Sequence, residues 1–271
     1  MENSNNRNIW IILGIVVVLL CCCVLAVGAI IVAAGTGFFA TAPVIREGGI
    51  GRMSERTEQV YNVGQAPMLE VDNFAGNVVV RSGESGRIRV LVTKQATTSN
   101  NLERIDVRIN QQDDGLRIET SRPGNLMPNA SVNIEVFVPD DAQLDLSTGA
   151  GNVDVEDVLG HLSAHTGAGN IQVQGAAGSA RLDTGAGDLS YEGQPGGECT
   201  FHTGAGNVTL RLPSDLDAAV DLNTGIGNIS LGGFDVVGDT SGTDVQGTIG
   251  TGAQATITAG TGVGNITLVR R

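Results

Sequence analysis

The chain has 271 residues, 39 of them glycine and only 3% aromatic, and a formal net charge of −13. So few large rings exclude an aromatic-centred core, and small aliphatic and β-branched side chains must fill the interior, which suits narrow stacked rungs better than a globular sandwich. The first 40 residues carry only Glu2 and Arg7, so the negative excess lies beyond them, and a domain of that sign repels phosphate backbones, which argues against nucleic acid as a partner.

Residues 1–8 form a short polar tail. Residues 9–34 follow without a charge, roughly 39 Å as a helix, enough to cross a hydrocarbon core of about 30 Å with some tilt. Trp10 and Phe38-Phe39 suit the two interfacial belts. A cleaved signal peptide fits less well, because the one A-x-A site, Ala40-Thr41-Ala42, is followed by Pro43. Cys21, Cys22 and Cys23 lie inside the apolar run, and the preceding Val18-Leu19-Leu20 lacks the small residue expected before a lipidated cysteine. They read as apolar cysteines of a membrane helix. Arg7 on one side against Arg46, Arg52 and Arg56 on the other leans toward a cytoplasmic domain, although long domains cross largely regardless of such counts. Residues 35–67, with Gly48-Gly49, Gly51 and scattered charges, read as a flexible linker.

From residue 68 to 271 the pattern is all β. Leu69-Glu-Val71, Val78-Val-Val80, Ile88-Arg-Val90-Leu-Val92, Ile105-Asp-Val107-Arg-Ile109 and Leu116-Arg-Ile118 alternate apolar with polar residues, and Val132 to Val138 does so up to Pro139. Asp113-Asp114-Gly115 reads as a hairpin turn. A five-residue phrase then recurs: Thr148-Gly-Ala-Gly-Asn152, Thr166-Gly-Ala-Gly-Asn170, Thr184-Gly-Ala-Gly-Asp188, Thr203-Gly-Ala-Gly-Asn207, Thr224-Gly-Ile-Gly-Asn228 and Thr261-Gly-Val-Gly-Asn265. Its threonines are 18, 18, 19 and 21 residues apart, then 37 across an insertion. Asn73-Phe-Ala-Gly-Asn77 reads as a degenerate first copy.

A period of this length predicts a β-solenoid of stacked rungs of about 18 residues, two strands each. In one unit the strands are Asn170 to Gln174 and Ser179 to Asp183, with corners at Gly175 to Gly178 and Gly185 to Gly187. Period-2 alternation sends inward Val153/Ile171/Leu189/Val208/Ile229/Ile266 and Val155/Val173/Tyr191/Leu210/Leu231/Leu268, with Leu162/Ala180/Cys199/Val220 and Ala164/Leu182/Phe201/Leu222 on the return strand. A one-residue slip would bury charges. Thr hydroxyls link rungs and the Asn residues form an amide ladder, which Asp188 interrupts. Phe234 to Gly250 loops out as a hairpin before the last rung, whose Arg270-Arg271 end discourages pairing at the open edge.

The opening Leu69-Glu-Val-Asp-Asn73 to Gly76-Asn-Val-Val-Val80, the strand closing on Val138-Pro139 and the serial Thr-Gly-x-Gly-Asn/Asp units together resemble the bacterial putative-adhesin β-repeat family of unknown function, grouped also with the toastrack domains of envelope-stress proteins. The resemblance covers residues 68–269. It implies a membrane-tethered solenoid displayed outside the cytoplasm, which outweighs the charge count, and it carries no agreed catalytic residues.

Chemistry-bearing groups are sparse. His165, Asp183 and His202 each precede a repeat threonine on successive rungs, so they stack outward at about 4.8 Å per rung. Two imidazoles and a carboxylate are ligands for a divalent transition metal. The simpler expectation is an exposed ladder in which Asp183 pairs with one histidine, and no cofactor or metal is assigned. Calcium loading of the β-roll kind needs a nine-residue step with aspartate, and the step here is 18. Cys199 points inward and His202 outward, so they make no nucleophile pair. The expected protein is a single-pass membrane protein, non-catalytic, whose envelope solenoid binds or scaffolds through a face of Thr, Ser and Gln. Its expected partners are the bilayer and a cell-wall polymer or another envelope protein. The alternative is a regulatory ectodomain that senses envelope state through a membrane partner.

Overall fold

The computed structural model describes residues 45–49, 52–112, 115–122, 124, 129–240, 242–252 and 254–271. The polar tail and the helix expected over 9–34 lie outside the described residues, among which no helix is long and apolar enough to cross a membrane.

The described chain is all β apart from one short helix. From Met68 it winds so that each turn lays one strand on each of two faces. The first face holds β3 (Met68–Asn73), β7 (Gly115–Ser121), β9 (Gln143–Thr148), β11 (Leu162–Ala168), the second halves of β12 (Ile171–Ala186) and β13 (Leu189–Ala205), β15 (Ala218–Ile226) and β19 (Ala255–Val263). The second holds β4 (Val78–Ser82), β8 (Ser131–Val138), β10 (Val153–Glu156), the first halves of β12 and β13, β14 (Val208–Leu212), β16 (Ile229–Ser230) and β20 (Ile266–Arg270). All these strands pair in parallel. The first face runs β7–β3–β9–β11–β12–β13–β19–β15, and the second runs β8–β4–β10–β12–β13–β14–β20–β16.

The core fills the space between the faces. Leu69, Leu144, Leu182 and Phe201 from one side meet Val80, Val155, Ile171 and Tyr191 from the other, and the Tyr191 and Phe201 rings lie 5.0 Å apart. The inward columns expected from alternation are buried, except Ile229 and Leu231 near the end of the second face, which are only partly covered. The unit expected as two strands with a corner between is one continuous strand, β12, bent by register shifts at Gln174/Ala176 and Gly178/Ala180. Across the bend the inward positions change parity, from Ile171 and Val173 to Ala176, Ala180 and Leu182, and the ladder skips Gly175 and Ser179.

Two regions depart from the expected plan. Part of the presumed linker 35–67 is strand: β1 (Ile45–Gly49) pairs with β2 (Arg52–Asn62), which runs antiparallel to β5 (Arg87–Ala96) from Met53↔Ala96 to Asn62↔Arg87. Two charges of β2 have cross-strand partners, with Glu55 3.8 Å from Lys94 and Glu58 3.7 Å from Arg89, and Tyr61 is buried on the core side. Next to β5, α1 (Ser99–Glu103) is capped by the Thr98 hydroxyl, which accepts from the Asn101 N–H, and buries Leu102. β6 (Asp106–Gln112) closes an antiparallel hairpin on β7.

The second departure is the order of rungs. The last rung in sequence, β19/β20, does not end the stack: it lies between β13/β14 and β15/β16, so Ile266 sits between Val208 and Ile229. The inserted segment contains β17 (Val237–Asp239) and β18 (Asp244–Ile249), the expected hairpin, and β18 pairs antiparallel along the outer edge of β15. With that edge occupied, only the inner edge of β15 is free to receive β19. The Asp217 carboxylate steers the return, accepting from the Thr251 and Gly252 N–H groups at 2.7 and 2.6 Å and from the Thr251 hydroxyl at 2.7 Å. Arg270 and Arg271 therefore guard no open edge: the Arg271 N–H donates to Leu212 O at 2.9 Å, and the Arg270 guanidinium lies 5.0 Å from the Phe234 ring centre.

Candidate binding surface

The repeat phrase is a corner, and each of its residues has a separate reason. At Gly185 an added Cβ would lie 2.4 Å from the Gly167 carbonyl oxygen of the neighbouring rung, so a side chain cannot enter. At Gly187 the backbone has φ +151° and an added Cβ would lie 2.1 Å from Gly169 O, so conformation and space both demand glycine. The threonines are buried, and each hydroxyl donates to the carbonyl of the second glycine one rung back in space. Thr166 reaches Gly151 O at 2.9 Å, Thr184 reaches Gly169 O at 2.8 Å and Thr203 reaches Gly187 O at 2.9 Å. In the degenerate first copy Asn73 takes the threonine place, its amide donating to Val132 O at 2.9 Å.

Along the rim each Asn side-chain oxygen accepts the backbone N–H of the Asn on the next rung. The ladder runs Asn77 to Asn152 and Asn152 to Asn170, each at 3.0 Å. Asp188 was expected to interrupt it and does not. Its N–H donates to Asn170 Oδ1 at 2.8 Å, and its own Oδ1 accepts from the Asn207 N–H at 2.8 Å. The position needs one backbone donor and one side-chain oxygen, which aspartate supplies as well as asparagine.

What remains outward is the surface between corners. On the second face the registers align Gln172, Ser190, Thr209, Thr267 and Ser230 in one line, one residue per rung. All five are uncharged and at least partly exposed. Serial order would put Thr267 after Ser230 at the end of the line; rung insertion places it in the middle. The 37-residue gap between Thr224 and Thr261 is the largest break in the repeat step and the sequence sign of this irregularity. Toward the earlier rungs the same line continues through Asp154, Val79 and Glu135, and the parallel line two residues on mixes Arg81, Glu156, Glu192 and Arg211 with Gln174 and Val269. Arg81 donates to Glu135 at 2.8 Å and to Glu156 at 2.9 Å, and Arg211 donates to Ser190 Oγ at 3.2 Å.

On the first face His165, Asp183 and His202 stand on adjacent strands in register, as expected. Asp183 Oδ1 is 3.0 Å from His165 Nδ1, so the carboxylate faces one histidine and the three do not converge. Among the described residues no group of three or more His, Cys, Asp or Glu is placed to hold a metal ion. The imidazole of His202 leans instead over Gly260, whose added Cβ would lie 3.1 Å from Nδ1. Small Thr258 and Gly260 on the inserted strand leave a groove of about 350 Å³, bordered by Arg181, Asp183, His202, Asp221 and Asn223. Cys199 is fully buried under this face, where burial pushes its thiol pKa up, and His202 lies on the opposite side of the same strand. Burial likewise raises the pKa of the Tyr191 hydroxyl, which has no hydrogen-bond partner among the described residues.

No family model matches the sequence, and no curated protein does. Among solved structures, the chain is similar to a "putative cell adhesion protein" of Clostridium sporogenes, with 16% identity and a TM-score of 0.47 over 80% of this chain and 100% of that one. It is also similar to a "putative adhesin" of Bacteroides fragilis, with 13% identity and a TM-score of 0.38 over 79% and 97% of the two chains.

Proposed function

We propose that this protein is a non-catalytic binding module of the cell envelope, a β-solenoid held to the membrane through residues 9–34 with its rungs outside the cytoplasm. The observation that carries this is the line Gln172–Ser190–Thr209–Thr267–Ser230. It offers uncharged hydroxyl and amide groups at the rung spacing of about 4.8 Å, on strands whose pairing holds them in place. Such a comb matches a polymer that presents hydroxyl and amide groups along its length, and a cell-wall glycan is that kind of polymer. Rigid strands position such groups without an ordering cost at binding, so many weak hydrogen bonds can add.

Co-sedimentation of the full chain with purified cell-wall glycan tests this. The natural chain is expected to pellet with the polymer, and a Thr209→Asp/Thr267→Asp variant, which puts two charges into the line, to lose at least tenfold in apparent affinity. A natural chain that stays in the supernatant, and instead recovers a membrane signalling protein from detergent extracts, replaces binding with envelope sensing.

A further inference from the structure

β19 enters the first face between β13 and β15 and lowers it. Two outward lines cross this part of the face, Arg181, Thr200, Thr258 and Asp221 in one and Asp183, His202, Gly260 and Asn223 in the other. At β19 the outward groups shrink to a threonine and a glycine while larger ones stand on both sides, which makes the groove of about 350 Å³. Gly260 is not a glycine that the fold requires. Its φ lies outside the left-handed region, and an added Cβ would meet the edge of the His202 ring at 3.1 Å and a backbone atom, Asn223 O, only at 3.9 Å. At Gly185 and Gly187 the obstacle is a fixed carbonyl at 2.4 and 2.1 Å, whereas an imidazole can turn aside. What the missing side chain of Gly260 does is keep the groove open. Were β15 laid directly on β13, in serial order, Thr200 would abut Asp221, His202 would abut Asn223, and the gap would not exist.

We propose that this groove binds one ring of an uncharged saccharide, at a site on the face opposite the Gln172–Ser190 line and independent of it. Its walls carry uncommitted groups: among the described residues, the side chains of Arg181, His202, Asp221 and Asn223 have no hydrogen-bond or ion-pair partner. Elsewhere on this face charges are spent on each other. Arg117 holds Glu70 and Glu119 at 2.7 Å each, and Asp183 faces His165 at 3.0 Å. Arg181 and Asp221 lie three strand spacings apart, about 14 Å at the backbone, and do not pair. The chemistry of the walls selects the ligand. Asp183 and Asp221 repel an anion, Arg181 repels a cation, and among the described residues no three ligands converge on a metal ion. The apolar residues that border the groove, Leu182, Phe201 and Ala259, are turned into the core, so an apolar ligand finds no partner there. A ring of hydroxyls suits what remains, because it donates and accepts at several points without charge. Carboxylate and amide oxygens take its protons, and guanidinium and imidazole N–H groups reach its oxygens. The volume is at the small end of ligand sites, room for one ring rather than a chain.

Saturation-transfer NMR on the full chain in lipid nanodiscs, with empty nanodiscs as the blank, tests this. The probes are glucose, galactose, mannose and N-acetylglucosamine, with glucuronate and glucosamine as rings of either charge. Saturable binding of at least one neutral ring is expected, several times tighter than that of either charged ring. Asp221→Ala and Asn223→Ala remove exposed side chains without partners, leave the fold intact, and should each weaken binding at least fivefold. Gly260→Leu fills the groove and should abolish binding, with the urea unfolding midpoint reporting that the variant is folded. Thr209→Asp/Thr267→Asp, on the other face, should leave it unchanged. No saturation by any neutral ring, a preference for a charged ring, or binding that survives both Asp221→Ala and Asn223→Ala overturns the proposal. So does a loss seen only in Thr209→Asp/Thr267→Asp, which puts the ring on the other face. This readout turns on Asp221, Asn223 and Gly260, and glycan co-sedimentation on Thr209 and Thr267, so either can fail alone.

Discussion

Asn207 donates its backbone N–H to the Asp188 carboxylate at 2.8 Å and its side-chain amide to the same oxygen at 3.1 Å. The rim ladder is therefore a chain of backbone donors and side-chain oxygens, indifferent to whether the oxygen belongs to an amide or an acid. Replacing Asp188 by Asn is expected to leave the unfolding midpoint nearly unchanged. Asp188→Ala removes the acceptor and is expected to cost up to about 1 kcal/mol. Urea denaturation of the two variants side by side distinguishes an acceptor requirement from a charge requirement.

Thr184 is fully buried, and its hydroxyl serves Gly169 O. Valine has nearly the same shape but cannot donate, so Thr184→Val leaves that carbonyl without this partner inside the corner. The expected loss is about 1–3 kcal/mol. Thr184→Ser, which keeps the donor and removes a methyl, should lose less. If valine proves the milder change, packing rather than hydrogen bonding governs the column.

The glycines of the corner are not equivalent to those of the opposite bend. Gly187→Ala meets a backbone oxygen at 2.1 Å in a left-handed conformation and is expected to destabilise by at least about 3 kcal/mol, or to prevent folding. Gly197, at φ +74° with nothing within 4 Å, carries only the conformational cost. Gly197→Ala should lose about 1 kcal/mol. Soluble yield and thermal midpoint of the two variants give the comparison, and equal losses would show that the close approach at Gly187 relaxes.

Asp154 lies half-buried next to Glu156. Burial raises its pKa above the usual 3.8, the Glu156 charge raises it further, and Arg81 pulls it partly back. A folded-state pKa above the unfolded one means that the folded chain holds the proton more tightly. Stability therefore falls as pH rises from the unfolded pKa through the raised one, and the penalty is complete at neutral pH. Asp154→Asn is expected to raise the thermal midpoint near pH 7 and to leave it unchanged near pH 3. A gain of the same size at both pH values would assign the effect to packing.

Much of the core and little of the surface order were legible in the chain. Leu182, Phe201, Val155 and Tyr191 were placed inward correctly because alternation is a local property, enforced by the pleat whatever the neighbours are. Thr166 and Asn170 fall at the corner because the Thr-Gly-x-Gly-Asn phrase and its glycines recur there once per rung. β2 is not legible in the sequence because Glu55, Arg56 and Glu58 look like linker residues until Lys94 and Arg89 on β5 pair with two of them. Asp183 was expected to pair with either histidine, and only the side-chain conformations select His165.

By itself the sequence determined the all-β class, the period, the residues that face inward and the positions of the corners, since each follows from spacings within one rung. Tertiary structure alone decided which rung lies beside which. Every corner presents the same threonine donor, glycine carbonyl and Asn or Asp oxygen, so local chemistry does not distinguish one neighbour from another. The choice falls to a nonlocal contact: β18 covers the outer edge of β15, and the last rung enters on the inner one. That single pairing sets Thr267 between Thr209 and Ser230 and opens the groove at Gly260.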